Sequence, residues 1–361
     1  MKNSAVKTFG ILTSGGDAPG LNAAIRGVAR TAINEYGMKV IGIERGYRGL
    51  IQGKAKELTA VDFSGILTRG GTILGTSREK PFKTTEPDPE TGRTPVESII
   101  HNYHAFGLDA LVVLGGNGTL TTASMLAKEG LNIIGLPKTI DNDLVETDIT
   151  FGFHTAVSVA TEAIDRLHTT AHSHSRIMII EVMGHKAGWL GLYAGIAGGG
   201  DVILIPEIPY KIEPIANHIK NRRKEGHPFS IVVVAEGALS EDEALMDKKE
   251  FKRRRAEMPY SIAYRVAKEL EAATDIESRV TVLGYLQRGG TPVPYDRVLA
   301  TQFGTTAAHM LAAGDFGKMV ALQNGLPTAV PLEKVAGKVK KVPYNHPLLI
   351  SGREVGTCFG E

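Results

Sequence analysis

Leu131 to Asp143 reads LNIIGLPKTIDND: a short apolar run, a proline, then a lysine and a threonine ahead of two aspartates that flank an asparagine. The run Leu131–Leu136 has the length and apolar content of a buried strand. Pro137 has no N–H to give to a central ladder, so the polar residues emerge at the strand's C-terminal end. In parallel α/β sheets ligands sit at that end. Two carboxylates, a hydroxyl and a cation within seven residues suit a catalytic loop. Asp, Asn and Thr also build Asx-turns and helix caps, and an isolated Asp-Asn-Asp would be read as one of these. Here it is not isolated.

Two glycine-rich loops also follow strand-like runs. Thr8–Leu12 leads into Thr13 to Gly20 (TSGGDAPG), and Ala110–Leu114 leads into Gly115 to Thr119 (GGNGT). Each then opens a helix-like segment. Glycine lets backbone approach an anion closely, and the free N–H groups and dipole of a helix start favour negative charge, so both loops suit phosphate. Ordinary tight turns use the same residues. Neither loop has the spacing G-x-x-x-x-G-K-[ST] or G-x-G-x-x-G, so P-loop and dinucleotide readings lose support.

Further apolar, β-branched runs stand at Val40–Ile43, Ile177–Val182, Val202–Ile205, Ile231–Ala235, Val280–Leu283 and Met319–Leu322, with helical patterns in many of the gaps. Continuous apolar strands separated by helices indicate parallel sheets buried on both faces. A chain of 361 residues exceeds one typical core, so two domains, or one large α/β unit with a smaller partner, are expected. Glu79 to Thr94, with Pro81, Pro87, Pro89 and Gly92, fits neither regular element; it is a lid or a surface excursion.

Composition narrows the class. A formal net charge of +2 gives no electrostatic case for nucleic acid, and the basic run Lys248–Arg255 reads as a solvated helical face. The single cysteine, Cys358, forms no internal disulfide, and its lone position does not suggest a nucleophile. The absence of a span-length apolar run and of a signal-peptide pattern points to a reducing, cytoplasmic setting away from membranes. His168, His172 and His174 lie on or after the helix-like Phe153–Ala171; a polar helix end is preferred to a metal site, because no acid or cysteine stands in a familiar zinc register.

More polar groups cluster at strand ends. They include Arg176, then Met183, Gly184 and His185 after Ile177–Val182, and Glu236 and Gly237 after Ile231–Ala235. Arg279 precedes Val280–Leu283, and Tyr285 and Arg288 follow it. Singly each arginine reads as a surface or ion-pair residue; jointly they resemble a phosphate-binding set.

Taken in order, LTSGGDAPGLNAAIRG, GGTILGTSR, GGNGT, PKTIDND, SRIMIIEVMG, AEG and SRVTVLGYLQRGGTPVPYDR give the chain, from Ile11 to about Gly325, a specific resemblance to the 6-phosphofructokinases. That resemblance implies two Rossmann-like α/β domains with mainly parallel sheets and an active site in the cleft between them. Residues 1–152 plus about 287–340 would bind the donor, and 153–286 plus about 341–361 the sugar phosphate. It implies phosphoryl transfer from ATP, with Mg2+, to the 1-hydroxyl of fructose 6-phosphate.

By the same resemblance Asp141 is the general base, Thr139 and Asp143 hold the hydroxyl and the metal shell, and Gly16 offers its N–H to the moving phosphoryl group. Gly15, Gly16, Tyr47, Arg78, Gly116, Asn117, Gly118, Thr119 and Lys138 would meet the donor, and Asn117, Asp141 and Asp143 the metal. Met183, Gly184, His185 and Glu236 match the sugar site. Arg176, Arg279, Tyr285 and Arg288 match positions that hold the sugar phosphate, two of the arginines coming from a neighbouring subunit. A homo-oligomer is implied, a dimer of dimers.

The donor markers conflict. Gly118 leaves room for the α-phosphate of ATP, where pyrophosphate users commonly carry aspartate, whereas Lys138 is the residue common in pyrophosphate users. Steric exclusion weighs more than a lysine that can swing aside, so ATP is expected and pyrophosphate is the alternative. Asn117 stands where many relatives carry an acid, and His185 and Tyr285 stand where Arg and His are common. More remote readings are a kinase related to the NAD and lipid kinases, and a non-catalytic sugar-phosphate sensor.

Overall fold

The computed structural model describes residues 2–258 and 261–361. Its strands are β1 (Thr8–Thr13), β2 (Lys39–Ile43), β3 (Ala55–Leu58), β4 (Ala110–Gly115), β5 (Ile133–Pro137), β6 (Ile177–Val182), β7 (Val202–Leu204), β8 (Ser230–Ala235), β9 (Ser278–Val282), β10 (Lys318–Gln323) and β11 (Leu326–Pro331). The chain divides into two compact units. The first comprises Met1–Ile140, Leu144–Thr155 and Arg288–Val339, and the second Asp141–Asp143, Ala156–Gln287 and Lys340–Glu361. The loop after β5 is thus shared: Pro137 to Ile140 belong to the first unit and Asp141 to Asp143 to the second.

The first unit holds a seven-stranded sheet in the order β11-β10-β5-β4-β1-β2-β3. Its five inner strands run parallel, and the two edge strands pair antiparallel. Strands β4 and β5 are buried along their whole lengths, as strands covered on both faces must be. One face packs Phe9, Ile11, Val112 and Leu114 against the helices Leu21–Tyr36 and Pro294–Ala313. The other packs Leu12, Ile43, Val113 and Ile133 beneath Leu120, Leu126 and Ile99.

The two helices on the first face meet through Gly27 and Gly304. A β-carbon on Gly304 would lie 2.6 Å from the Ala24 carbonyl oxygen, and one on Gly27 would lie 2.9 Å from that of Thr301. Real β-carbons do not come so near, so glycine is what permits this crossing.

The second unit holds a four-stranded parallel sheet in the order β7-β8-β6-β9. Its core joins Ile177, Ile179, Val232 and Val234 to Ile215, Ile219, Val266 and Leu270 of the covering helices. The basic run lies on the helix Lys248–Glu257, which buries no side chain completely. Cys358 is half-buried, and burial pushes its thiol up, away from nucleophilic character. Among the described residues no helix is long and apolar enough to cross a membrane.

Candidate active site

β1, β4 and β5 are neighbours in the first sheet and run parallel, so the three motifs that follow them emerge side by side. Gly15 has φ +88° and donates its N–H to the Ser77 carbonyl at 2.8 Å, while its own carbonyl accepts the Thr76 hydroxyl. A β-carbon on Gly15 would stand 3.2 Å from Thr119 Oγ1 and 3.7 Å from Lys138 Nζ. These distances bring TSGGD, GGNGT and PKTIDND together around one residue.

Lys138 is buried and donates its ammonium to the Gly16 carbonyl. Arg288 Nη1 donates to the Asp17 carbonyl at 3.0 Å and would lie 2.9 Å from a β-carbon on Gly16. The glycine loop is therefore flanked by two cations. Arg288, expected with the sugar-phosphate residues, is packed within the first unit against this loop.

The second glycine loop opens the helix Asn117–Lys128. Gly118 is exposed, and a β-carbon there would meet nothing within 4 Å. Arg78 is exposed nearby in sequence to Ser77.

Two of the expected residues are engaged within the chain. Tyr47 is 0 % exposed and donates its hydroxyl to the Thr119 carbonyl at 3.0 Å. Burial drives that hydroxyl's pKa far up, and the ring presents no face to a nucleotide, so Tyr47 supports the loop from behind. Asn117, expected at the metal, is engaged at both ends of its amide. Its Nδ2 donates to the Lys338 carbonyl, and its Oδ1 accepts the Gly337 N–H and the Thr121 hydroxyl, each at 3.2 Å. It clamps the 337–338 turn.

Thr139, Asp141 and Asp143 are 7 %, 8 % and 6 % exposed. Burial of two carboxylates so close in sequence is unfavourable unless polar groups or a cation compensate. The Thr139 carbonyl accepts the Thr150 hydroxyl at 2.8 Å, within the first unit. In the second unit, Asn142 between the aspartates has φ +50°, a left-handed backbone that costs a non-glycine residue about 1 kcal/mol. Asparagine bears that conformation better than most residues. The Asp143 carbonyl accepts the Lys340 N–H at 2.8 Å, and Asn142 Oδ1 accepts Lys340 Nζ at 3.2 Å.

The second sheet repeats the pattern. Met183, Gly184 and His185 follow β6, and Glu236 follows β8 beside it. Glu236 Oε1 accepts the His185 N–H at 2.8 Å, and the Glu236 N–H donates to the Val182 carbonyl. Gly184 has φ +142° and His185 φ +51°, so the loop turns through left-handed backbone and leaves the imidazole exposed. The Met183 N–H is held by the buried amide of Gln287.

Arg176 and Arg279 share one carboxylate: Arg176 Nε meets Glu277 Oε2 at 2.5 Å, and Arg279 Nη2 meets Oε1. The Arg176 hydrogen bond, then that of Arg279, holds the Glu277 carboxyl below the ordinary glutamate range. Tyr285 is 73 % exposed. Of the histidines, His168 Nε2 binds the Gly198 carbonyl at 2.7 Å, and His168 and His172 pack edge-on against Phe229. Among the described residues no group of three metal-binding side chains forms.

Glu277 and Lys340 were not singled out in the sequence. An acid two residues before Arg279 was a usable signal for the first. Lys340 lies in the run Lys338 to Lys341, where nothing local separates it from a solvated lysine.

A phosphofructokinase family model matches residues 8–311. The chain is 65% identical over 364 residues to an ATP-dependent 6-phosphofructokinase of Spirochaeta thermophila, covering 100% of each chain. It is 54% identical over 352 residues to ATP-dependent 6-phosphofructokinase 3 of Bacteroides thetaiotaomicron, covering 98% of this chain and 99% of that one. Among solved structures, phosphofructokinase from Saccharomyces cerevisiae aligns with a TM-score of 0.77 at 34% identity, over 91% of this chain and 45% of that one.

Proposed function

The chain belongs to the phosphofructokinase family, and on that premise we propose that it transfers the γ-phosphoryl group of ATP to the 1-hydroxyl of fructose 6-phosphate, the glycolytic step that yields fructose 1,6-bisphosphate. The observation that carries the reading is the convergence of Gly15, Thr119 and Lys138 at the ends of adjacent parallel strands, with two buried aspartates in the same loop as the lysine. A nucleotide kinase needs such a place for phosphate and such an acceptor for a proton.

Asp141 takes the proton of the sugar's 1-hydroxyl as that oxygen forms its bond to the γ-phosphorus. The bond from the γ-phosphorus to the bridging oxygen breaks, and ADP leaves with the electron pair. Thr139 and Asp143 orient the hydroxyl. Gly16 gives its N–H, and Lys138 and Arg288, whose side chains meet the Gly16 and Asp17 carbonyls, supply positive charge beside the transferred group.

Asp141 and Asp143 suit magnesium, which takes one or two carboxylates together with substrate phosphates. When bound, the ion neutralises charge on the donor's phosphate oxygens. The other donor contacts fall to Gly15, Arg78, Gly116, Gly118 and Thr119. Met183, Gly184, His185 and Glu236 bind the sugar. Arg176, Arg279 and Tyr285 hold its 6-phosphate, the two arginines serving a neighbouring chain in a homo-oligomer, a tetramer, of the cytoplasm.

Gly118 favours ATP because space is open at its α-carbon. Lys138 beside Gly15 and Gly16 is the feature that favours pyrophosphate. A coupled assay with fructose 6-phosphate, offering each donor separately, decides. ATP should exceed pyrophosphate in kcat/KM by at least about tenfold, a difference of about 1.4 kcal/mol in transition-state binding. A preference for pyrophosphate would make Lys138 the governing marker, and no turnover with either donor would reject the reading.

A further inference from the structure

Lys340 reaches the loop of Asp141 to Asp143 from far along the chain, and both belong to the second unit. Its N–H donates to the Asp143 carbonyl at 2.8 Å, and its ammonium donates to Asn142 Oδ1 at 3.2 Å. The lysine is itself gripped from the other side. Trp189 Nε1 donates to the Lys340 carbonyl at 2.9 Å, and the ammonium stands 5.3 Å from the centre of the Trp189 ring. The indole is backed by His346, edge-on at 5.1 Å.

The segment that carries Lys340 is fastened two residues further on. Glu207 Oε1 accepts the Val342 N–H at 3.0 Å, and both Glu207 carboxylate oxygens accept the Gly188 N–H, at the start of the helix that begins with Trp189. Gly188 itself has no room for a side chain: a β-carbon would lie 2.4 Å from Ile205 Cβ. Lys340, Trp189, Val342 and Gly188 are therefore one rigid fixture, set against the two residues that follow Asp141.

We propose that Lys340, seated on Trp189, is a positioning residue that holds Asn142 and Asp143 in the conformation from which Asp141 and Asp143 act. The two bonds fall on consecutive residues, one to a side chain and one to the main chain, and so fix both the displacement and the rotation of the loop. They are made to the residue at φ +50° and to its successor, where the backbone would otherwise relax toward commoner conformations. A cation suits the task for a further reason: it lies beside a loop bearing two buried carboxylates. This role rests on the assignment of Asp141 as the base.

The test uses the full chain and steady-state kinetics with fructose 6-phosphate and ATP. Lys340→Met keeps the length of the stem and the main-chain bond but removes the ammonium. It should lower kcat by roughly 10- to 100-fold, the scale of a small misplacement of a reacting group, while both KM values stay within about threefold. Lys340→Arg, which restores a cation, should recover most of kcat. Emission from Trp189, the only tryptophan in the chain, should shift in Lys340→Met and return toward wild type in Lys340→Arg.

Asn142→Gly provides a second route should Lys340→Met fold poorly, since glycine keeps the left-handed backbone and removes only the side-chain acceptor. It should lower kcat alone, and adding Lys340→Met to it should cost less than Lys340→Met costs in the wild-type background, because the bond to Asn142 is lost in both. A Lys340→Met enzyme with kcat within about twofold of wild type, or an effect carried by KM, overturns the proposal. Asp141→Asn run in parallel separates the two claims: if it is inactive while Lys340→Met is normal, only the positioning role fails, whereas full turnover in Asp141→Asn removes the base.

Discussion

The hydroxyl of Tyr47 donates to the carbonyl oxygen of Thr119 at 3.0 Å, across 72 residues of sequence and with both groups out of solvent. The bond holds the start of the helix Asn117–Lys128, which the second glycine loop opens and which is proposed to meet the phosphoryl donor. Tyr47→Phe removes the second donor of a buried helix carbonyl and should cost about 1 kcal/mol of stability. The KM for ATP should rise several-fold, with that for fructose 6-phosphate nearly unchanged. Equal effects on the two KM values would show that Tyr47 acts on the whole fold and not on the donor loop.

Gly118 offers a substitution that tests electrostatics with little structural cost, because a β-carbon there meets nothing within 4 Å. Gly118→Asp should keep its melting temperature within a few degrees of wild type. Its kcat/KM for ATP should fall by 100-fold or more, since a carboxylate beside a phosphate repels it by roughly several kcal/mol where water is scarce. Residual turnover with pyrophosphate should survive better. Equal losses with both donors would mean that position 118 does not discriminate between them.

Glu277 bridges Arg176 and Arg279, and the proposed hold of these two arginines on the sugar's 6-phosphate can be tested by removing one of them. Arg176→Ala should raise the KM for fructose 6-phosphate far more than that for ATP. Mixing Arg176→Ala chains with Asp141→Asn chains should restore some activity if one chain's arginine serves another chain's base. An active monomer in sedimentation would contradict that sharing.

Asp296 is fully buried, and its Oδ2 accepts the N–H and the hydroxyl of Thr155 at 2.7 and 2.6 Å. Burial pushes its carboxyl above the ordinary aspartate range, against the hydrogen bonds from Thr155 and Gly152 that pull it down. A raised carboxyl binds its proton more tightly folded than unfolded. Its contribution to stability is therefore fully present below the unfolded value near ~3.9 and declines as pH rises through the folded value. Asp296→Asn should flatten the melting temperature against pH from about pH 4 upward. An unchanged slope would assign the pH dependence to other groups.

The inner strands were legible because each is a continuous apolar run. Thus Ile177–Val182 was read residue for residue, and Ala110–Leu114 lacked only Gly115. The two strands that escaped notice, β3 and β11, are the antiparallel edges. β3 is the polar AKEL, and β11 is LPTAVP with a proline near each end, as edge strands need to be to avoid further pairing. At the site, residues carried on motifs were visible, but what each side chain does was not. Tyr47 lies beneath its loop, Asn117 binds the 337–338 turn, and Lys340 meets Asn142 across 198 residues. Such pairings depend on tertiary packing, which no local pattern records.

The central claim is that Asp141 receives the proton of the sugar hydroxyl. It is tested most directly by the turnover of Asp141→Asn with saturating ATP and fructose 6-phosphate. The account predicts a kcat lower by roughly 10²- to 10⁴-fold with the KM for fructose 6-phosphate within about threefold of wild type. A variant that keeps near-full turnover, or that loses activity only through a raised KM, would contradict it.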